Sequence, residues 1–228
     1  MKKVLILCLV ILTACNSKPK TPFQVLKSTK IKDGVKLDVQ VNDRISKREM
    51  VDIASYIKSD STQYNNLQID FILPGNSYAN KAGVTVYATA AYHDKNVVSP
   101  ADTVADKNKN FLSFEFVGFT PEKAKQLLSL DPKELNGKQI VGKFIDDATK
   151  TISFIAEDKH EDNQLYILEL DSAGTVVSAI APMEVTVKGV RKMVVSQQGD
   201  YMTLKDSILT MYSSTDYDKP YRSIKQSR

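Results

Sequence analysis

The sequence predicts an α+β fold: an N-terminal antiparallel sheet carrying one main helix, then an all-β half that is either a meander or a small barrel. Three observations predict it. Val35, Leu37, Val39 and Val41 alternate with Lys36, Asp38 and Gln40, the period of two of a strand with one buried face. Met50, Ile53, Ala54 and Ile57 fall on one helical face at i, i+3, i+4, i+7. From Lys138 onward, short apolar or alternating runs recur about every ten residues between turn-rich pieces, which indicates consecutive strands.

The first half reads element by element. Lys32, Asp33 and Gly34 supply turn chemistry before the alternating strand, so Phe23 to Thr29 pairs with it as a hairpin. Ser46 and Glu49 form a capping box, and Ile45 is placed to staple onto Met50, so a helix starts here and covers the sheet. Leu67 to Leu73 and Val84 to Tyr92 follow as strands around a loop with Pro74, Gly75 and Gly83, and Phe111 to Val117 is a fifth strand. Thr120 caps a second, short helix with Pro121 at its first position and a narrow apolar face of Ala124, Leu127 and Leu128. Asp131 to Gly137 has linker character, which divides an α+β domain, 23–134, from an all-β domain, 138–214.

The second half contains eight strand candidates: Gln139 to Ile145, Thr151 to Ala156, Gln164 to Leu170, Thr175 to Ala179, Met183 to Val187, Arg191 to Val195, Tyr201 to Leu204 and Ile208 to Tyr212. The segment 215–228 reads as a polar tail that frays.

The first fifteen residues indicate location. Lys2 and Lys3 precede the nine-residue apolar run Val4 to Leu12, too short to span a bilayer, and Thr13, Ala14 and Cys15 follow. Leu12-Thr13-Ala14-Cys15 resembles the lipobox of bacterial lipoproteins, which implies a signal peptide over 1–14, an acylated Cys15 as the new first residue, and a polar tether over 15–22. Asn16 in place of the aspartate linked to inner-membrane retention points to the outer membrane of a bacterial envelope. Without Lys2 and Lys3, the 31 basic residues fall to 29 against 27 acidic ones, scattered among each other, which argues against a nucleic-acid partner. The two cysteines are Cys8 in the leader and Cys15, so the folded part has no thiol chemistry.

In the second half, Ile140-Val141-Gly142-Lys143-Phe144-Ile145-Asp146-Asp147, then a strand pair, then Tyr201 to Tyr212 with Leu204 and Leu209, resembles the β-meander of lipocalin-like domains in bacterial envelope lipoproteins. Gly142-Lys143-Phe144 resembles the Gly-x-Trp opening of lipocalins, with Phe144 where Trp is usual. Phe71-Ile72-Leu73-Pro74-Gly75 and Tyr87-Ala88-Thr89-Ala90 resemble segments in the first half of such lipoproteins. The resemblance implies a small lipocalin-like barrel and brings no activity with it.

Side chains of types that carry chemistry read mostly as structural. His93 with Asp94, Asp102 or Asp106 is a base or ligand candidate, but no second histidine lies at ligand spacing, and a solvated strand end is the simpler account. His160 sits in Glu157-Asp158-Lys159-His160-Glu161-Asp162, which reads as a polar hairpin loop. Asp106, Asn108 and Asn110 open like an EF-hand, but Phe111 replaces the turn glycine and Val117 the bidentate glutamate. Asp146 and Asp147 are adjacent, so at most one faces any given pocket. Phe144, Phe154, Tyr166, Tyr201 and Tyr212 either line a barrel mouth that takes an apolar ligand or fill a core. Tyr217 and Tyr221 are tail aromatics that could anchor a partner or simply be exposed.

No cofactor or metal is expected. The function expected is a lipid-anchored envelope module, held to the membrane through Cys15, that binds an envelope protein partner or a small ligand without catalysis. Two alternatives stand beside it: a carrier of small apolar ligands, which needs an enclosed aromatic cavity, and an envelope hydrolase using carboxylates, which needs two acids converging in one cleft.

Overall fold

The computed structural model describes residues 18–32, 34–78, 85–92, 103–106, 110–216 and 219–227. The leader, Cys15, His93, Asp94, Asp102, Asn108 and Tyr217 lie outside these. The chain is α+β and mostly β, with three sheets and two α-helices among the described residues.

The first sheet has the order β1-β2-β3-β5-β7-β6. The hairpin of β1 (Phe23–Ile31) and β2 (Gly34–Val41) pairs as the turn chemistry requires. Helix α1 (Lys47–Asp60) starts on the capping box: Ser46 Oγ accepts the Glu49 N–H, and Glu49 accepts the Ser46 N–H at 2.9 Å. Met50, Ile53, Ala54 and Ile57 are buried against Val39, Ile69, Phe71 and Tyr92 of the sheet. One pairing departs from expectation. β2 and β3 (Asn66–Ile72) run parallel, because α1 lies between them in sequence as a crossover that returns the chain in the same direction. β5 (Val86–Tyr92), β6 (Thr103–Ala105) and β7 (Phe111–Phe116) complete the sheet with antiparallel pairs.

Helix α2 (Pro121–Leu128) follows, with Thr120 Oγ1 accepting the Lys123 N–H at 3.2 Å. It does not belong to the first core. With the 3-10 turn Lys133–Leu135 it covers one face of the second sheet, where Phe119, Leu127 and Leu135 meet Ile152, Phe154 and Leu168. The stretch read as a linker is therefore part of a core, and the packing boundary falls near Gly118 rather than at 134. The second sheet runs β11-β10-β9-β8, built from β8 (Gln139–Asp146), β9 (Thr151–Asp158), β10 (Gln164–Leu170) and β11 (Val176–Ile180). Its other face brings Phe144, Ile155, Leu165 and Ile167 against Met193, Leu209, Met211 and Ile224 of the third sheet.

The third sheet has the order β12-β13-β14-β15-β16-β4. β12 (Met183–Val187), β13 (Val190–Val194), β14 (Tyr201–Lys205) and β15 (Ile208–Tyr212) form a meander, and the sheets do not close into a barrel. The polar tail is corrected by the structure: Pro220–Lys225 forms β16, antiparallel to β15, because Ile224 supplies the buried residue and Arg222 a buried ion pair. β4 (Ser77–Tyr78), from the first half, pairs with β16 and ties the halves together.

Replacing Ile224 with alanine removes a side chain buried between the second and third sheets and is expected to cost about 2–4 kcal/mol. Urea unfolding at an unchanged m-value measures it; an effect under about 0.5 kcal/mol would mean that the tail strand does not hold the fold.

Candidate functional site

Register assigns the faces of the third sheet. Cross-strand partners share a face, and Met183 opposes Val194, which opposes Tyr201, which opposes Tyr212. Val185 opposes Lys192, and Val187 opposes Val190. All of these sit on the face turned away from the second sheet, since Glu184 and Met193, one residue out of phase, reach inward. Glu184 Oε1 accepts the Leu165 N–H at 2.9 Å, and Met193 is in the core between the sheets.

The outer face is apolar where it is most open. Met183 is 64% exposed, Val187 and Val190 45% each, and Val185 37%. Val176 and Val177 on β11 add exposed apolar surface at the neighbouring edge of the second sheet. The β12–β13 hairpin turns through Lys188 and Gly189, both at positive φ (50° and 78°), the signature of a tight two-residue turn matched to strand twist. Toward β14, the stripe ends in an aromatic pair: Tyr201 and Tyr212 stack 4.6 Å apart and 6° from parallel, with Lys192 Nζ 4.0 Å from the centre of the Tyr201 ring.

The five aromatics singled out from sequence do not share one cavity. Phe154 is buried under α2, and Phe144 is buried on the opposite face of the second sheet. A Cβ on Gly142 would stand 2.5 Å from the Phe144 ring, so the Gly-x-Phe spacing lets the ring lie flat on its own strand. Tyr166 packs at the margin of the α2 core and donates to Glu161 at 2.6 Å. Only Tyr201 and Tyr212 come together, on the outer face.

Where the three sheets meet, the β8–β9 turn holds a buried ion pair. Arg44 Nη1 and Nη2 donate to Asp147 Oδ1 and Oδ2 at 2.9 and 2.7 Å, a bidentate fork with Asp147 1% and Arg44 10% exposed. The Phe119 N–H also donates to Asp147 Oδ1 at 2.9 Å, and Arg44 Nη1 donates to the Phe119 carbonyl at 3.0 Å. Arg44 lies over the Tyr87 ring at 5.2 Å, and burial pushes the Tyr87 phenol well above its ordinary range, an effect the guanidinium partly offsets. Asp146 points elsewhere, to Arg222 on β16, while its Oδ1 accepts the Ala148 N–H at 3.0 Å. Sequence reading missed Arg44 and Arg222, because each meets its partner only after long-range folding.

Beside this junction lies a cleft of about 210 Å³, with Arg44, Asn76, Leu128, Ile145, Lys225 and Gln226 among its walls. It is smaller than the roughly 300–1,000 Å³ of ordinary small-molecule pockets, and none of the five aromatics lines it.

The acids are engaged. Asp146 and Glu157 sit at opposite ends of the β8–β9 hairpin, about 20 Å apart along it. The Lys159 ammonium, with Arg191 behind it, holds the Glu157 carboxyl below its ordinary range. His160 is exposed in the β9–β10 turn, where its N–H donates to Asp158 at 2.9 Å. Asp106 is buried and accepts from Asn110 N–H, Asn110 Nδ2 and Tyr92 Oη at 2.8, 3.0 and 3.1 Å. Among the described residues no group of three or more His, Cys, Asp or Glu is placed to hold a metal, and no helix is long and apolar enough to cross a membrane. Compared with protein-family models, curated proteins and solved structures, the chain matches none.

Asp147→Asn leaves Arg44 buried with half its fork, and the expected loss is about 3–5 kcal/mol in denaturant unfolding. Asp147→Leu paired with Arg44→Met should cost less than the sum of the two single changes; strict additivity would mean that the pair does not interact.

Proposed function

We propose that this chain is a non-catalytic module of the bacterial envelope, anchored to the outer membrane through acylated Cys15, which binds a protein partner on the outer face of its third sheet. The observation that carries the reading is the exposed stripe of Met183, Val185, Val187 and Val190, which runs up to a Tyr201–Tyr212 stack of one buried and one half-buried ring. Soluble proteins seldom leave contiguous apolar surface open, and such patches commonly mark interaction sites. Aromatic and methionine side chains beside an apolar stripe are the composition of a binding-surface centre.

The chemistry of the rest of the molecule supports binding over turnover. A hydrolase acid needs a carboxyl whose pKa is raised toward neutrality, whereas Glu157 is held down by Lys159 and Asp146 is spent on Arg222. A carrier needs an enclosed apolar space, whereas Phe144 and Phe154 are packed in two separate cores. The anchor rests on the lipobox-like Leu12-Thr13-Ala14-Cys15, and the polar residues after it would serve as a leash.

Two measurements test this. Mass spectrometry of the mature amino terminus should find fatty acyl mass on Cys15, and a Cys15→Ser chain should lose it and leave the membrane fraction; an unmodified Cys15 contradicts the anchor. A photo-crosslinking side chain at Val187 in intact envelopes should give a discrete adduct to a protein other than a second copy of this chain, one that Val185→Glu removes, whereas the same probe at Lys36, on the first sheet, should give none. Identical adducts from both positions would contradict the assigned face.

A further inference from the structure

We propose that the free edge of β12 joins two copies of this chain, strand to strand and antiparallel, about a two-fold axis at Val185. The inference uses the backbone edge rather than the outer face, so it goes beyond the partner reading and stands or falls separately.

The edges of the three sheets are not treated alike. A strand edge exposes unpaired N–H and C=O groups, and proteins guard such edges with bulges, lysines, very short strands or covering chain. β1 has a bulge between Val25 and Lys27 and carries Lys27 and Lys30. β6 has three residues and β4 two. β8 has a bulge between Ile140 and Gly142 and is covered by the C-terminus, where Gln226 bridges to Phe144 and the Ser227 N–H donates to the Lys143 carbonyl at 2.9 Å. β11 pairs with β10 through a bulge. β12, Met-Glu-Val-Thr-Val, has an unbroken register with β13 and, among the described residues, no bulge, lysine or covering chain; its one charge, Glu184, reaches inward and is taken up by the Leu165 N–H and Arg191. With that charge already neutralised, β12 is the edge least protected against pairing among the described residues.

Hairpin geometry then settles which groups are offered. Val187 and Val190 flank the two-residue turn, so they form a hydrogen-bonded pair, as do Val185 with Lys192 and Met183 with Val194 two residues on. The N–H and C=O of Glu184 and Thr186 therefore point outward. An antiparallel copy must present its own Glu184 and Thr186 to them, which restricts the register. With Glu184 against Glu184, two like charges stand directly opposed, which destabilises a sheet. With the axis at Val185, Glu184 faces Thr186, Val185 faces Val185 and Met183 faces Val187. Every apolar residue then meets an apolar residue, no charge meets its like, and four backbone hydrogen bonds form around the axis. In this arrangement the strand is complementary to itself, which is what a two-fold interface requires. The two apolar outer faces become one continuous surface across the joint.

The test uses single cysteines in the full chain, whose own cysteines are Cys8 and Cys15, with the unsubstituted chain as baseline. At the axis, Val185 and its copy form a non-hydrogen-bonded pair with Cα atoms about 4.5 Å apart, within disulfide range. Val187 and its copy stand about 13 Å apart, four residues along the strand, beyond that range. Mild oxidation of Val185→Cys should give a disulfide-linked species of doubled mass above the baseline, and Val187→Cys, equally exposed, should not. Adding Thr186→Pro to Val185→Cys removes one outward N–H without touching the β13 ladder, and should abolish the cross-link while circular dichroism stays unchanged. Cross-linking of both cysteines alike, of Val187→Cys alone, or of neither overturns the proposal, as does an unchanged cross-link in the proline variant with its circular dichroism preserved. If the proline variant loses its dichroism, the comparison of Val185→Cys with Val187→Cys decides. A Val185 cross-link with no Val187 photo-adduct other than one of doubled chain mass would sink the partner reading and leave this one standing; an adduct of any other mass without the Val185 cross-link would do the reverse.

Discussion

Two adjacent carboxylates in the β8–β9 turn hold this molecule together. Asp146 closes β8 and reaches Arg222 on the last strand, while Asp147, one residue on, turns the other way and forks with Arg44 in the loop that leads into α1. The first reaches the third sheet, the second the first sheet, and both belong to the second. Removing two opposite charges from water costs about what their attraction returns, so such pairs add little net stability. Their force is in what they forbid, since any packing that separates Arg44 from Asp147 leaves a charge stranded in a space that excludes water. The fit is close enough that Gly118 has no room for a side chain: a Cβ there would lie 2.3 Å from Asp147 Oδ1.

From that constraint the division of surfaces follows. The second sheet becomes the middle layer, with α2 on one face and the third sheet on the other, and its apolar residues are used up on both sides. The third sheet has one face covered along its length, and its outward face is open at the β12–β13 hairpin. Its inward residues, Met193, Leu209, Met211 and Ile224, make the core, and its outward residues Met183, Val185, Val187 and Val190 belong to no core and stay exposed. Arg191 fastens the hairpin by pairing with Glu184 and donating to the Asn163 carbonyl at 3.1 Å. The exposed stripe is thus presented on a fixed frame, the condition for recognition at low entropic cost.

Much of this was legible in the residues, and the rest was not for identifiable reasons. Capping at Ser46 and Thr120 and the runs from Gln139 to Tyr212 are local signals, and each produced the element expected. The direction of β3 relative to β2 depends on where the crossover returns, which no alternation records. β16 was hidden because one buried residue, Ile224, stands among polar neighbours. β4 is two residues long and exists only where β16 passes it. α2 reads as a narrow amphipathic helix in any context, and its allegiance to the second sheet is decided by Phe119 and Leu135 outside it. For the site, the sequence shows Val185 and Val187 alternating just as Val39 and Val41 do, yet the first pair is open and the second buried. Alternation reports that a strand has two faces, not whether both are covered. Arg44 and Asp147, 103 residues apart, leave no mark on each other's surroundings.

Native-state hydrogen exchange tests most directly whether the twin-aspartate turn welds the sheets into one unit. The account predicts that the slowest amides of the first sheet, at Val39 and Ile69, and of the second, at Phe154 and Leu168, exchange through one shared global opening with the same free energy. A first sheet whose slowest amides open well before those of the second, with no common limit, would contradict it.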